Sequence, residues 1–211
     1  MNARPLLILA SESPRRLDLL RQIGVTPDRV VPTAIDETPR KGELPREAAR
    51  RLARDKALAA RAPGAIALGA DTIVACGRRI LPKAESEAQA RACLALLSGR
   101  AHRVLTAVAV AGPDFVRERL VDTRVTMKRL SAREIDWYVR GGEWRGKAGG
   151  YAIQGAAARF VSAINGSYSA VVGLPLLETA HLLESEDGAA RTIGEMMTPS
   201  NQRINSQSNQ Q

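Results

Sequence analysis

The chain has 211 residues, of which 45% are apolar and 25% charged, a globular composition that excludes a wholly disordered chain and a fibre. No apolar run nears the ~18 residues of a membrane span, and the stretch after Met1-Asn2-Ala3-Arg4-Pro5 is too short for a secretory signal, so a cytoplasmic protein is expected. Basic residues outnumber acidic ones 31 to 22, a net charge of +9 that favours anionic ligands.

Leu6 to Ala10 reads as a short buried strand ending at Ser11-Glu12-Ser13-Pro14-Arg15-Arg16. Ser13 is a favoured N-cap, Pro14 suits the first helical position, and Leu17, Leu20 and Ile23 continue at helical spacing. A strand, a polar turn and a helix start are therefore predicted in succession. The free N–H groups of that helix start, beside two arginines, make an anion site. A second strand is expected from Val30 to Ile35, leading into Asp36-Glu37, and a helix from Pro45 to Arg61 that carries Lys56. Ile66 to Ala70 and Ile73 to Cys76 read as strand segments broken at Asp71-Thr72. Gly77-Arg78-Arg79 marks a turn, and Glu85 to Leu97 a helix that Ser98-Gly99 stops.

Val104 to Ala111 and Leu120 to Met127 form a predicted hairpin-like pair around Gly112-Pro113-Asp114. A helix follows over Ala132 to Val139, then a glycine-rich segment from Gly141 to Gly155. Phe160 to Ile164 and Ser169 to Val172 read as strands, and Pro175 to Leu183 as a closing helix. From about Ser185 the composition turns acidic and then Ser/Asn/Gln-rich, so residues 185–211 are expected to be a disordered tail. Alternating strands and helices predict an α/β chain with a mixed sheet.

Among residues able to do chemistry, Cys76 and Cys93 with His102 and His181 are too few for a Cys/His zinc centre, and in a reducing compartment the cysteines are not expected to pair. The arginines are scattered rather than blocked, and aromatic residues make up only 3%, which argues against nucleic-acid binding by base stacking. Gly141 to Ala148 approaches the phosphate loop G-x-x-x-x-G-K-[ST], but Ala148 lacks the hydroxyl and the segment follows a predicted helix. A P-loop is rejected, and Lys147 is kept as a phosphate or base contact.

Asp71 is the most conspicuous carboxylate, because a charge inside an otherwise apolar run costs roughly several kcal/mol unless a cation or hydrogen bonds compensate it. It reads either as a functional acid or as a turn or strand-end aspartate accepting backbone N–H bonds. Glu37 reads as a metal-binding acid or an exposed loop residue, and Lys56 and Lys83 as phosphate contacts or solvated lysines. Brought together, a basic turn, these lysines and the two carboxylates would bind a polyphosphate and a divalent ion.

The chain resembles the Maf family of nucleoside triphosphate pyrophosphatases. The resemblance rests on L-A-S-E-S-P-R-R (Leu9 to Arg16), I-D-E (Ile35 to Glu37), R-L-A-R-D-K-A (Arg51 to Ala57) and L-G-A-D-T-I-V (Leu68 to Val74). It continues through L-S-G-R-A-H-R-V (Leu97 to Val104), K-A-G-G-Y-A-I-Q-G (Lys147 to Gly155) and I-N-G-S-Y-S-A-V-V-G-L-P-L (Ile164 to Leu176). It implies a Maf-like domain over residues 1–184, in one body or in two lobes around a cleft, a mixed twisted sheet flanked by helices with a central substrate cleft, and kinship with the inosine triphosphatase-like fold. It also implies hydrolysis between the α and β phosphates, with Asp71 as the catalytic acid-base residue and Mg²⁺ or Mn²⁺ held by Glu37 and Asp71. Ser13, Arg16, Lys56 and Lys83 match the family's phosphate-binding positions. Arg15, Thr72 and Gln154 match those selecting dTTP and UTP, with Lys147 assisting. A homodimer is a further implication, and a non-catalytic septum-formation regulator or nucleic-acid-binding module is the rival reading. Two departures stand out: Ser86 replaces the usual acid after Lys83, and Trp144 and Gly146 replace the usual Pro and Asp before Lys147.

Overall fold

The computed structural model describes residues 5–184; the expected tail lies outside the described residues. Its chain order is β1 (Leu6–Ala10), α1 (Pro14–Gln22), β2 (Arg29–Val30), α2 (Pro45–Ala59), β3 (Ala65–Cys76), β4 (Arg79–Leu81), α3 (Glu87–Leu97) and β5 (Ala101–Ala111). β6 (Val116–Met127), α4 (Ala132–Gly141), a 3₁₀ turn (Ala156–Phe160), β7 (Val161–Asn165), α5 (Tyr168–Val172) and α6 (Leu176–Glu184) complete it. The strands form one mixed seven-stranded sheet in the order β2-β1-β3-β5-β6-β7, with β4 also on β3. The expected α/β class with a mixed sheet between helices is what the chain adopts.

Side-chain alternation along β3 separates the two faces of the sheet. Ile73 and Ala75 pack with Leu105, Ala107 and Ala109 of β5 beneath the alanine-rich face of α2. Leu68, Ala70 and Val74 join the larger core on the opposite face, with Leu20, Leu94, Tyr138, Trp144 and Phe160. Small side chains let α2 approach closely. At Gly69 an added Cβ would strike the Ala53 carbonyl oxygen and lie 2.5 Å from the Ala57 nitrogen.

Four local expectations differ from the structure. The strand expected over Val30 to Ile35 is only Arg29–Val30, because β1 ends at Ala10 and Pro32 has no N–H to donate. Ser169 to Val172 is helical, since the Ser167 hydroxyl caps α5 by accepting from Ala170 N at 3.2 Å; so short an apolar run carries no period that separates helix from strand. The region from Ala65 to Cys76 is one unbroken strand through Asp71-Thr72, held along its length by antiparallel pairing with β5. β4, which the sequence reading does not predict, returns from the Gly77 turn to pair with the end of β3.

That last pairing creates the cleft. On one edge of β3, β1 is paired as far as Gly69 and β4 begins at Val74, so residues 70–73 have no strand neighbour there. Asp71 and Thr72 lie in this gap and point to opposite faces of the sheet.

Candidate active site

A cavity of about 540 Å³ opens at the gap, and every residue nominated from sequence lines it. Its first wall is the turn into α1. Ser13 occupies the N-cap position with Pro14 following, but its hydroxyl makes no capping hydrogen bond, contrary to the usual use of such a serine. The turn is held instead by Ser11, which the sequence reading passes over. Buried Ser11 Oγ accepts from Ser13 N at 3.2 Å and from Arg16 Nη1 at 3.0 Å. Arg16 Nε donates to Gly173 O at 2.9 Å, tying the turn to the end of α5. Burial lowers the Arg16 pKa, with Asp71 and Glu37 pulling it back up and Arg15 pushing it further down.

The second wall is a chain of alternating charges. Lys56 Nζ lies 2.6 Å from Asp71 Oδ1 and 2.7 Å from Glu37 Oε1, while Lys83 pairs with the other Glu37 oxygen. Asp71 is 3% exposed and Lys56 6%, so this pair is shielded from water. Asp71 is therefore neither at a strand end nor a turn aspartate: it stands mid-strand and its side chain meets a lysine. Desolvation raises the Glu37 pKa, but the lysines outweigh it and hold the carboxyl at about 2.

Carboxylate oxygens of Glu37 and Asp71 converge on one cationic nitrogen, and hard oxygens are the donors that Mg²⁺ or Mn²⁺ takes. The described residues contain no cluster of three or more His, Cys, Asp or Glu able to hold a metal. Two carboxylates can hold such an ion only where water and phosphate oxygens complete its shell.

The third wall is the glycine-rich segment. The residues after β4 pair with it, Ala84 N donating to Lys147 O at 3.1 Å and Gly146 N to Ala84 O at 2.9 Å, which sets Lys83 and Lys147 on facing strips of backbone. Gly149 adopts a φ of +68°, and a side chain there would press on Val74. The segment leaves α4 through the left-handed Gly142, so it is no phosphate loop after a strand. Burial lowers the pKa values of both Arg15 and Lys147, and Arg15 depresses Lys147 further. Thr72, on the far face from Asp71, is hydrogen-bonded to Thr106 at 3.1 Å, and Thr106 donates to Ala170 O at 2.7 Å. Gln154 reaches the cavity from the end of the loop.

Ser86 and Trp144, two of the residues that depart from the expected pattern, have structural roles. Ser86 caps α3, its hydroxyl accepting from Gln89 N at 3.3 Å. Serine is among the favoured N-caps, so Ser86 supports the helix start. Trp144 is buried and donates from Nε1 to Val139 O at 2.8 Å, filling the space under the loop.

Behind the cavity, buried His102 meets the Tyr151 hydroxyl through Nε2 at 2.8 Å, and burial lowers its pKa from 6.5 to about 4. The unfolded chain protonates this ring below about pH 6.5 and the folded chain only below about pH 4. Its contribution to stability is therefore complete above the higher value and is lost as pH falls through the interval, by about 3 kcal/mol. Urea unfolding at about pH 7.5 and about pH 4.5 is expected to show a larger loss for the wild type than for His102→Gln.

A cation-rich cavity holding Glu37 and Asp71, set where one edge of a mixed sheet is interrupted, defines an α/β protein that handles polyanions. The "Maf-like protein" family model matches residues 6–186, and the chain belongs to the Maf family. It is 62% identical over 186 residues to the dTTP/UTP pyrophosphatase of Caulobacter vibrioides, covering 87% of this chain and 96% of that protein. It is 63% identical over 181 residues to the dTTP/UTP pyrophosphatase of Paramagnetospirillum magneticum, covering 84% and 95%. With the dTTP/UTP pyrophosphatase of Gluconobacter oxydans the identity is 61% over 191 residues, covering 87% and 88%. No helix among the described residues is long and apolar enough to cross a membrane.

Proposed function

We propose that this protein is a nucleoside triphosphate pyrophosphatase that cuts dTTP and UTP, and modified pyrimidine triphosphates, between the α and β phosphates. The observation that carries the reading is Asp71, a buried carboxylate at an unpaired strand edge inside a cavity ringed by arginine and lysine. In the reaction Asp71 takes a proton from water as the water oxygen bonds to the α phosphorus. The bond from that phosphorus to the bridging oxygen breaks, and its electron pair leaves with pyrophosphate. Ser13, Arg16, Lys56 and Lys83 bind the phosphate oxygens and offset the charge that develops on the leaving group. Glu37 and Asp71 would hold Mg²⁺ or Mn²⁺, which supplies further charge neutralisation at the phosphates.

At the base end, the Gln154 amide offers one donor and one acceptor surface to the carbonyl and N–H of a uracil or thymine edge. Lys147 is donor-only, which complements a ring carbonyl and opposes the amino group of cytosine. Arg15 and Thr72 complete this end. The reading places the enzyme in the cytoplasm, where the free thiols of Cys76 and Cys93 stay reduced.

Purified protein with Mg²⁺ or Mn²⁺ is expected to release monophosphate and pyrophosphate from dTTP and UTP, identified by ion-exchange chromatography. Release of orthophosphate, or no hydrolysis of either nucleotide, rejects the reading.

A further inference from the structure

We infer that Glu143 is a positioning residue for base selection, its carboxylate clamping the loop that carries Gln154. The inference rests on the proposed pyrimidine specificity and deepens it. Glu143 stands just after the Gly142 cap of α4 and reaches across to the far end of the glycine-rich segment, where Oε2 accepts from Ala156 N at 2.7 Å. Gly155 leaves room for this approach: a Cβ there would lie 2.8 Å from the Glu143 carboxyl carbon and overlap its oxygen. Glu143 is therefore seated flat against the backbone immediately after Gln154.

The other side of Gln154 is held independently. Ala152 N donates to the Tyr138 hydroxyl at 3.1 Å, and the Tyr151 hydroxyl meets His102 Nε2 at 2.8 Å. Gly155 N also donates to Ala152 O at 3.1 Å, closing a turn around residues 153 and 154. The Gln154 side chain itself is exposed and, among the described residues, keeps no hydrogen bond of its own. The backbone is thus fixed on both sides while the amide is left for a ligand.

This arrangement meets a chemical need. The two ends of an amide have nearly the same shape, so a glutamine on a loose loop can rotate to satisfy cytosine as readily as uracil. An anchored backbone does not stop the amide turning, but it sets where the Gln154 side chain starts, and with it the distance to the base and the placement relative to donor-only Lys147, before substrate binds. The phosphate-end residues Asp71 and Lys56 stand on β3 and α2, so loosening the loop weakens base recognition and leaves the chemical step in place.

Steady-state kinetics of wild type, Glu143→Ala and Glu143→Gln with dTTP and dCTP test the inference. Glutamine keeps an oxygen that can accept from Ala156 N but removes the charge felt by Lys147, which separates clamping from electrostatics. Glu143→Ala is expected to raise KM for dTTP ~10-fold and lower the dTTP to dCTP ratio of kcat/KM ~10-fold, with kcat within about 2-fold. Glu143→Gln is expected to stay within about 3-fold of wild type on every parameter. Gly155→Ala supplies a second variant should the first fail to fold, since its methyl group expels the carboxylate at a φ of −105° that alanine readily adopts; it is expected to reproduce the fall in the ratio. An unchanged ratio in Glu143→Ala, or equal impairment in Glu143→Gln, overturns the clamp while leaving the pyrimidine reading in place. A wild type that does not prefer dTTP overturns that reading, and the inference with it.

Discussion

Replacing Asp71 by asparagine is expected to lower pyrophosphate release from dTTP at least ~100-fold while the protein stays folded. The side chain sits mid-strand at 3% exposure, so no neighbouring position on the exposed surface can take over its place in the cleft. Asparagine has the same shape, and its amide oxygen can accept from Lys56 Nζ, which lies 2.6 Å from Asp71 Oδ1. Lys56 also keeps Glu37 at 2.7 Å, so the buried ammonium is not stranded. What asparagine cannot do is accept a proton from water. Circular dichroism melts are expected to match the wild type, which puts the loss in what Asp71 does to water and metal rather than in the fold. Retention of more than about a tenth of the rate would move the base elsewhere, and Glu37, which shares Lys56 with Asp71, is then the group to replace.

The largest stability effect is expected at Gly69. A methyl group there points at the backbone of α2, 2.5 Å from Ala57 N and 3.1 Å from Ala57 Cα, and backbone atoms cannot rotate aside as a flexible side chain can. The helix must lift from the sheet, so Gly69→Ala is expected to cost on the order of 3 kcal/mol, at the upper end for overpacking. Activity falls with it, because Lys56 immediately precedes Ala57 and moves as α2 moves, opening its contact with Asp71. Gly141→Ala is the control: nothing lies within 4 Å of the added carbon at the end of α4, and the change is expected to be neutral or slightly stabilising. Urea denaturation of both variants checks the contrast, and equal midpoints would show that the α2 contact yields.

The elements differ in how far their own residues define them. The turn from Leu9 to Arg16 could be read directly, since an apolar run, a serine, a proline and a helical spacing each signal their place without help from distant residues. The strand through Asp71 could not: a charge and a threonine within an apolar run read as an interruption, and only the long pairing with β5 carries the backbone through them. Ser169 to Val172 is ambiguous for a different reason, since a few apolar residues fit either period and the capping hydroxyl of Ser167 decides between them. Ser11 and Glu143 leave no pattern in residue type, because their roles rest on hydrogen bonds from backbone N–H groups and, for Ser11, from the Arg16 side chain.

By itself, the sequence determined the alternation of strands and helices, the cationic turn, and the presence of an acid where burial demands a partner. These follow from local spacing and from the free energy of placing charge in an apolar setting. Tertiary structure decided that the partner is Lys56, that β1 stops and β4 starts on either side of Asp71, and that one cavity opens between them. Such contacts depend on strand register and helix approach between segments far apart in the chain, and register is set by the packing of whole faces rather than by any one residue.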